Sequence, residues 1–323
     1  MLKRKYLLLL LIISILLITS CANENTAVGV NNKNSSNEAE DNYYTFTDSL
    51  ENTVVLKEKP EKVVALVGSY AETWLLAGGE LAGVTDDVIT ERKMDVSENT
   101  KIVGTIKDPN LEEILSLEPD FILLSPDIES HTQISETLKK AQIPHAYFKI
   151  EQFEDYLNML DICTDITGSK DLYEKNGLKV QKQIEDVISK IDTTSKPSVL
   201  FIRAFSSGAK AKDDVNMTCK ILNDLSTVNI ASEHQSLLED LSIEEIIEED
   251  PDYIFVTTMG DTDKAIKAMK NGIEKNLAWK NLTAVKNDRY IVLPKDLFHY
   301  KPNARWGESY EYLAKIIYPN SFK

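Results

Sequence analysis

The sequence predicts an α/β protein: two doubly wound α/β lobes bridged by a single long helix. Three observations carry that prediction. Apolar strand-like runs alternate with amphipathic helical stretches along nearly all of the chain after residue 43, the pattern of parallel sheets covered by helices. The phrase LEEILSLEPDFILL, Leu111–Leu124, returns 132 positions later as IEEIIEEDPDYIFV, Ile243–Val256. Between the two copies, Lys170–Ile191 places Val180, Ile184, Val187, Ile188 and Ile191 on one helical stripe, and Pro197 lies beyond its end.

Each copy of the repeated phrase reads as the end of an amphipathic helix, an acid, a proline, an aspartate and an apolar run. Pro119 and Pro251 stop the helix and bias the preceding residue toward extended geometry. The runs Phe121–Leu124 and Tyr253–Val256 suit strands buried on both faces. Around them, Tyr43–Leu56 alternates like a hairpin turning at Glu51-Asn52. Strands are expected at Lys62–Val67, Leu81–Thr85, HAYFKI, Ser198–Arg203 and Tyr290–Leu293. Helices are expected at Tyr70–Ala77, Asn110–Leu117, His131–Ala141, Gln152–Ile166 (stopped by Gly168), near Cys219–Leu225, and at Ile243–Glu248, Ala265–Lys275 and Tyr310–Ile317. The expected organisation is a leader at 1–20, a tether at 21–42, lobes at 43–168 and 193–323, and a bridging helix at 169–192. A single helix is a stiff connector, so the lobes are expected to move little relative to each other.

The chain has 323 residues, 42% hydrophobic and 27% charged, enough for two domains of roughly 100–150 residues. Its net charge is −16; beyond the first twenty residues, 33 basic groups face 52 acidic ones. Such a body repels nucleic acid and anionic membrane surfaces, so an anionic ligand needs a local basic cluster. The start, MLKRKYLLLLLIISILLITSC, has a basic head and an apolar run from Leu7 to Ile18, short for a span of about 20 residues, and reads as a secretory signal. ITSC resembles a bacterial lipoprotein box, which makes Cys21 the expected lipidated residue. Residues 22–42, rich in Asn, Ser and Glu, read as a disordered tether. Cys163 and Cys219 fall in different lobes and are expected to be buried and unpaired.

In open α/β sheets ligands sit beyond the carboxyl ends of the strands. Those ends are the loops Gly68–Tyr70, Ser125–Asp127, Arg203–Lys212, Thr257–Gly260 and Pro294–Arg305. Two of them break the acidic trend. RAFSSGAKAK carries Arg203, Lys210 and Lys212 without an acid; PKDLFHYKPNAR carries Lys295, Lys301 and Arg305 against Asp296 alone, with Phe298, His299, Tyr300 and then Trp306 beside them. Cations beside aromatic faces suit a flat or aromatic anion. A serine nucleophile is not supported, because G-x-S-x-G is absent around Ser69. The four histidines are scattered; His299 is a candidate haem ligand, as are Met217 and Met259.

The ordered phrases FTDSLENTVVLKEKPEKVVAL, SYAETWLLAGG, LEEILSLEPDFILL, IEEIIEEDPDYIFV and WKNLTAVKNDRYIVLP, with the lipoprotein box, resemble the ABC-transporter substrate-binding lipoproteins of the iron-complex and vitamin B12 group. The resemblance covers residues 43–323. It implies a monomeric, non-enzymatic, lipid-anchored protein on the extracytoplasmic face of the membrane. Such a protein captures a ferric siderophore-type complex, with haem or a corrinoid as alternatives, and delivers it to a membrane permease. A metal-dependent enzyme or a free metal-ion binder is the remoter reading, and no cofactor is expected. The cleft residues expected are Tyr70, Arg203, Tyr300, Lys301, Arg305 and Trp306. Family members dock through one exposed glutamate per lobe. Glu72 stands at the first position; at the second, Asn223 replaces the glutamate and Asp224 is the substitute.

Overall fold

A computed structural model describes residues 42–322. The leader, Cys21 and nearly all of the expected tether lie outside the described residues. The architecture is the expected one: two sheets, separated in sequence by one helical passage. The N-terminal sheet contains β3 (Val63–Ala65), β4 (Gly83–Val84), β5 (Lys101–Ile102), β6 (Phe121–Leu124) and β7 (His145–Tyr147), all parallel, in the order β5-β4-β3-β6-β7. A hairpin, β1 (Tyr44–Thr47) and β2 (Thr53–Leu56), precedes it. The C-terminal sheet contains β8 (Ser198–Phe205), β9 (Gly208–Ala211), β10 (Val228–Asn229), β11 (Tyr253–Thr258) and β12 (Tyr290–Val292). Its parallel path β10-β8-β11-β12 repeats the N-terminal path β4-β3-β6-β7. β9 is the departure: the expected loop Arg203–Lys212 is mostly a hairpin, with β9 antiparallel to β8.

The repeated phrase does the same work in each lobe. Asn110 and Ser242 cap the helices Leu111–Ser116 and Ile243–Glu249. The aspartate after each proline then ties the next strand to the first one. Asp120 accepts the Glu61 and Lys62 N–H groups at 2.7 and 2.9 Å, just before β3; Asp252 accepts the Ser198 N–H at 2.9 Å, at the start of β8. The residues before the prolines are not extended as expected. Glu118 and Asp250 have φ of 50° and 38°, because each closes its helix in the left-handed conformation, which also avoids the α region that a following proline disfavours. Gly168 ends the helix Phe153–Thr167 in the same way, with φ 77°.

Period-two alternation sorts the central strands between cores. Val63, Ala65, Phe121 and Leu123 face one shared core with Val199, Phe201, Tyr253 and Phe255. Their neighbours Val64, Leu66, Ile122 and Leu124 face a core private to the N-terminal lobe. Leu200, Ile202, Ile254 and Val256 face one private to the C-terminal lobe. The bridging helix lies in the shared core. It runs as Lys170–Tyr173, a π-helical turn at Glu174–Leu178, and Lys179–Ile188 without leaving helical backbone. Val180, Ile184, Val187 and Ile191 are buried there, while Ile188 is partly buried. The C-terminal helix, Trp306–Ile317, packs along it. Gly307 permits that approach, since a Cβ would fall 2.6 Å from Gln183 Oε1. Cys163 and Cys219 are buried and unpaired.

Because both lobes share this core, Ile184→Ala is expected to cost about 2–5 kcal/mol and to destabilise the two lobes together. Urea unfolding followed separately through Trp74 of the N-terminal lobe and Trp279 of the C-terminal lobe, in single-tryptophan variants, should give coincident transitions.

Candidate functional site

The carboxyl ends of the two sheets meet around a cavity of 640 Å³. All five predicted loops contribute to it: Ser69 and Tyr70; Ser125 and Asp127; Arg203; Met259 and Gly260; His299, Tyr300 and Lys301. Ile106, Ile128, Ile150, Val215 and Met217 supply apolar wall. A larger concavity of 730 Å³ lies within the C-terminal lobe, but its charged lining is Glu239, Asp240 and Glu244, with no cation. On charge and on position between the lobes, the smaller cavity is the candidate site.

The cavity's cations are poorly satisfied. Arg203 and Lys301 form no ion pair among the described residues, and Arg203 Nε is buried without a hydrogen-bond partner. Burial lowers the pKa of Arg203. Burial also pulls the Lys301 ammonium down to about 8, with Arg203 repelling it and Glu151 partly compensating. His299 beside them is brought to about 4 by burial and by Arg203, Lys295 and Lys301, so it is neutral at pH 7; its Nδ1 has no partner. The acids around the cavity are mostly engaged elsewhere. Asp87 accepts the Gly68 N–H and the Thr85 hydroxyl, Glu91 pairs with Lys295 at 3.6 Å, and Glu151 pairs with Lys149 at 3.2 Å. Asp127 is the unpaired acid and Lys107 a further exposed cation of the rim. An anion between the lobes would meet donors already desolvated.

The other expected residues are distributed differently. Tyr70 lines the cavity, but its hydroxyl donates to the Phe148 carbonyl, so it offers a ring face. Tyr300 lines it too, beside His299 and under the Lys295 ammonium. Arg305 is not in the cavity. It lies on the outer surface, held by Glu308 and Asp296 at 2.7 Å each. Trp306 is also outside it, buried in the shared core against Phe153, because it begins the helix that packs on the bridge. Glu72 does not stand free for docking: its carboxylate takes Arg92 and the Asn303 amide. Asp224 is exposed but accepts the Tyr310 hydroxyl, and burial raises its pKa.

Sequence reading missed three residues. Arg92 binds Glu72 in its own lobe and donates to the Lys301 carbonyl of the other at 2.9 Å. Asn303 donates back to the Ser69 carbonyl at 3.0 Å, so the floor of the cavity is stitched across both lobes. Arg92 follows β4 and belongs to a carboxyl-end loop, the same signal that marked the others. His131 is the third. It receives the Ser125 N–H at Nδ1 and donates from Nε2 to the Ile106 carbonyl, which fixes a neutral tautomer and ties two cavity loops together.

A two-lobed α/β body with a helical bridge and a donor-rich cleft between the lobes is the architecture that the comparisons with known proteins match. Residues 63–297 match the family described as periplasmic binding protein, and the chain belongs to that family. It is 30% identical over 247 residues, 71% of this chain and 75% of the other, to a Bacillus subtilis protein described as an ABC transporter substrate-binding lipoprotein, YhfQ. It is 24% identical, over 88% of both chains, to the Fe(3+)-citrate-binding protein YfmC of the same organism. Among solved structures, Staphylococcus aureus SirA complexed with staphyloferrin B superposes with a TM-score of 0.65 at 21% identity, covering 85% of this chain and 97% of that one. Staphylococcus aureus IsdE complexed with heme gives 0.65 at 16% identity, over 80% and 98%. No helix among the described residues is long and apolar enough to cross a membrane.

His131 carries a stability prediction. Burial lowers its pKa from 6.5 to about 4. The unfolded chain therefore takes up the proton first as pH falls, and stability present above pH 6.5 is lost between 6.5 and 4, by up to about 1.4 kcal/mol per pH unit. Thermal melts over that range should show the decline, and His131→Gln should make it shallower.

Proposed function

We propose that this protein captures a ferric siderophore-type complex of net negative charge in the inter-lobe cleft and presents it to an ABC permease, held at the extracytoplasmic membrane face by lipid on Cys21. The observation that carries this reading is the pair Arg203 and Lys301. Two cations in a chain of net charge −16 lack ion-pair partners among the described residues, and both line the cavity between the lobes. Leaving such groups desolvated and unpaired is costly, and an anionic ligand relieves the cost. Carboxylate or catecholate oxygens would take the guanidinium, while Tyr70 and Tyr300 supply ring faces. The relatives named for Fe(3+)-citrate and solved with staphyloferrin B support this ligand class. Permease docking through Glu72 would require the bound Arg92 to yield it, and Asp224 is the more accessible acid.

A second reading, haem, rests on His299. Its imidazole is neutral, lines the cavity and has a buried, unpartnered Nδ1, and Met259 lines the same cavity. Titration of the purified protein with ferric citrate, a panel of ferric siderophores, haem and cobalamin, followed by fluorescence and visible absorption, separates the two. A Soret shift lost in His299→Ala supports haem; saturable binding of anionic ferric chelates only supports the first reading.

Arg203→Ala should weaken binding of an anionic ferric chelate by about 1.5–3 kcal/mol, roughly 10- to 150-fold, measured by the same titration. Unchanged affinity removes Arg203 from the site. Lys301 should make binding pH-dependent. Anion binding favours the charged ammonium, so affinity should hold below pH 8 and fall as pH rises through about 8. Lys301→Gln should bind more weakly and lose this dependence.

A further inference from the structure

We propose that His234, Glu245 and Glu249 form a divalent-cation site of the zinc type in the C-terminal lobe, separate from the cleft. His234 precedes the helix Gln235–Asp240, and the two glutamates lie one turn apart on Ile243–Glu249. One ligand atom from each of the three lies within 4.8 Å of the others, and none of the three residues lines the inter-lobe cavity. The imidazole is held between the carboxylates: Nδ1 is 2.6 Å from Glu245 Oε1, and Nε2 is 3.2 Å from Glu249 Oε1.

A neutral imidazole carries one N–H and can donate to only one of those oxygens. The other contact sets a ring lone pair against a carboxylate oxygen unless that nitrogen carries a proton or a bound cation bridges the two. The surroundings attract cations: residues 233–252 contain nine acids and no lysine or arginine. Glu245 is also oriented in advance. Its Oε2 accepts the Ser236 hydroxyl at 3.0 Å, and its backbone N–H is capped by Ser242. Ligating carboxylates are themselves held by hydrogen bonds, as Glu245 is here. One imidazole nitrogen with two carboxylates, their ligand atoms within 4.8 Å of one another, is a donor set that suits Zn²⁺ once the glutamates turn toward the same nitrogen, whereas Mg²⁺ and Ca²⁺ prefer all-oxygen shells. The ion would clip the His234 loop to the second helix and shield its acids.

The test is calorimetric titration of chelator-treated full-length protein with ZnCl₂, alongside thermal melts with Zn²⁺ or Mg²⁺. The expected result is one saturable Zn²⁺ per chain and a higher melting temperature that Mg²⁺ does not reproduce. Affinity should fall at least tenfold in His234→Ala and in the near-isosteric Glu249→Gln, both checked for native circular dichroism. Absence of saturable binding, or full affinity retained in Glu249→Gln, overturns the proposal. So does ¹⁵N NMR at pH 7 that shows both ring nitrogens of His234 protonated and unmoved by Zn²⁺, since a proton then fills the role given to the metal. None of these results depends on which ligand enters the cleft.

Discussion

The packing of one helical stripe against both sheets is the interaction on which the molecule depends. Val180, Ile184, Val187 and Ile191 occupy a core that neither lobe completes alone. Each of these side chains contributes roughly 1.5–3 kcal/mol when buried. Every central strand gives one face to that core and keeps the other for its own lobe, so the period of two that makes a strand also divides the hydrophobic energy between local and shared structure. The π-helical turn and the close approach at Gly307 adjust the bridge to its neighbours without breaking it.

That arrangement places the site. With the sheets fixed on one core, their carboxyl ends are held facing a common space, and polar groups on loops finish the job. Arg92 and Asn303 cross the floor, Lys295 meets Glu91, and Lys220 reaches Gln152 at 3.0 Å. These contacts consume most of the charge near the cavity. What remains is a pair of cations, Arg203 and Lys301, without ion-pair partners among the described residues, set in the wall of a cleft in an acidic chain.

Much of this was legible in the sequence because it depends on patterns that local physics enforces. The EPD and DPD phrases marked two equivalent helix-to-strand junctions, and the stripe from Val180 to Ile191 marked the bridge. The five loops around the cavity followed from strand polarity alone. What was not legible depended on where side chains turn. Arg305 and Trp306 follow Lys301 closely, yet the short helical turn Asn303–Arg305 sends one to solvent and the other into the core. Glu72 looked like a free acid because its partners, Arg92 and Asn303, are 20 and 231 positions away. β9 was hidden because Gly, Ala and Lys carry weak strand preference and gain it here only by pairing with β8.

The bond from Arg92 to the Lys301 carbonyl has a mechanical meaning. The residue that brings positive charge to the cavity is tethered through its own backbone to the opposite lobe. Any force that prises the lobes apart at the cleft strains that tether together with the Asn303–Ser69 bond, and the same displacement moves the ammonium. Opening of the cleft and withdrawal of the ammonium are thus one motion.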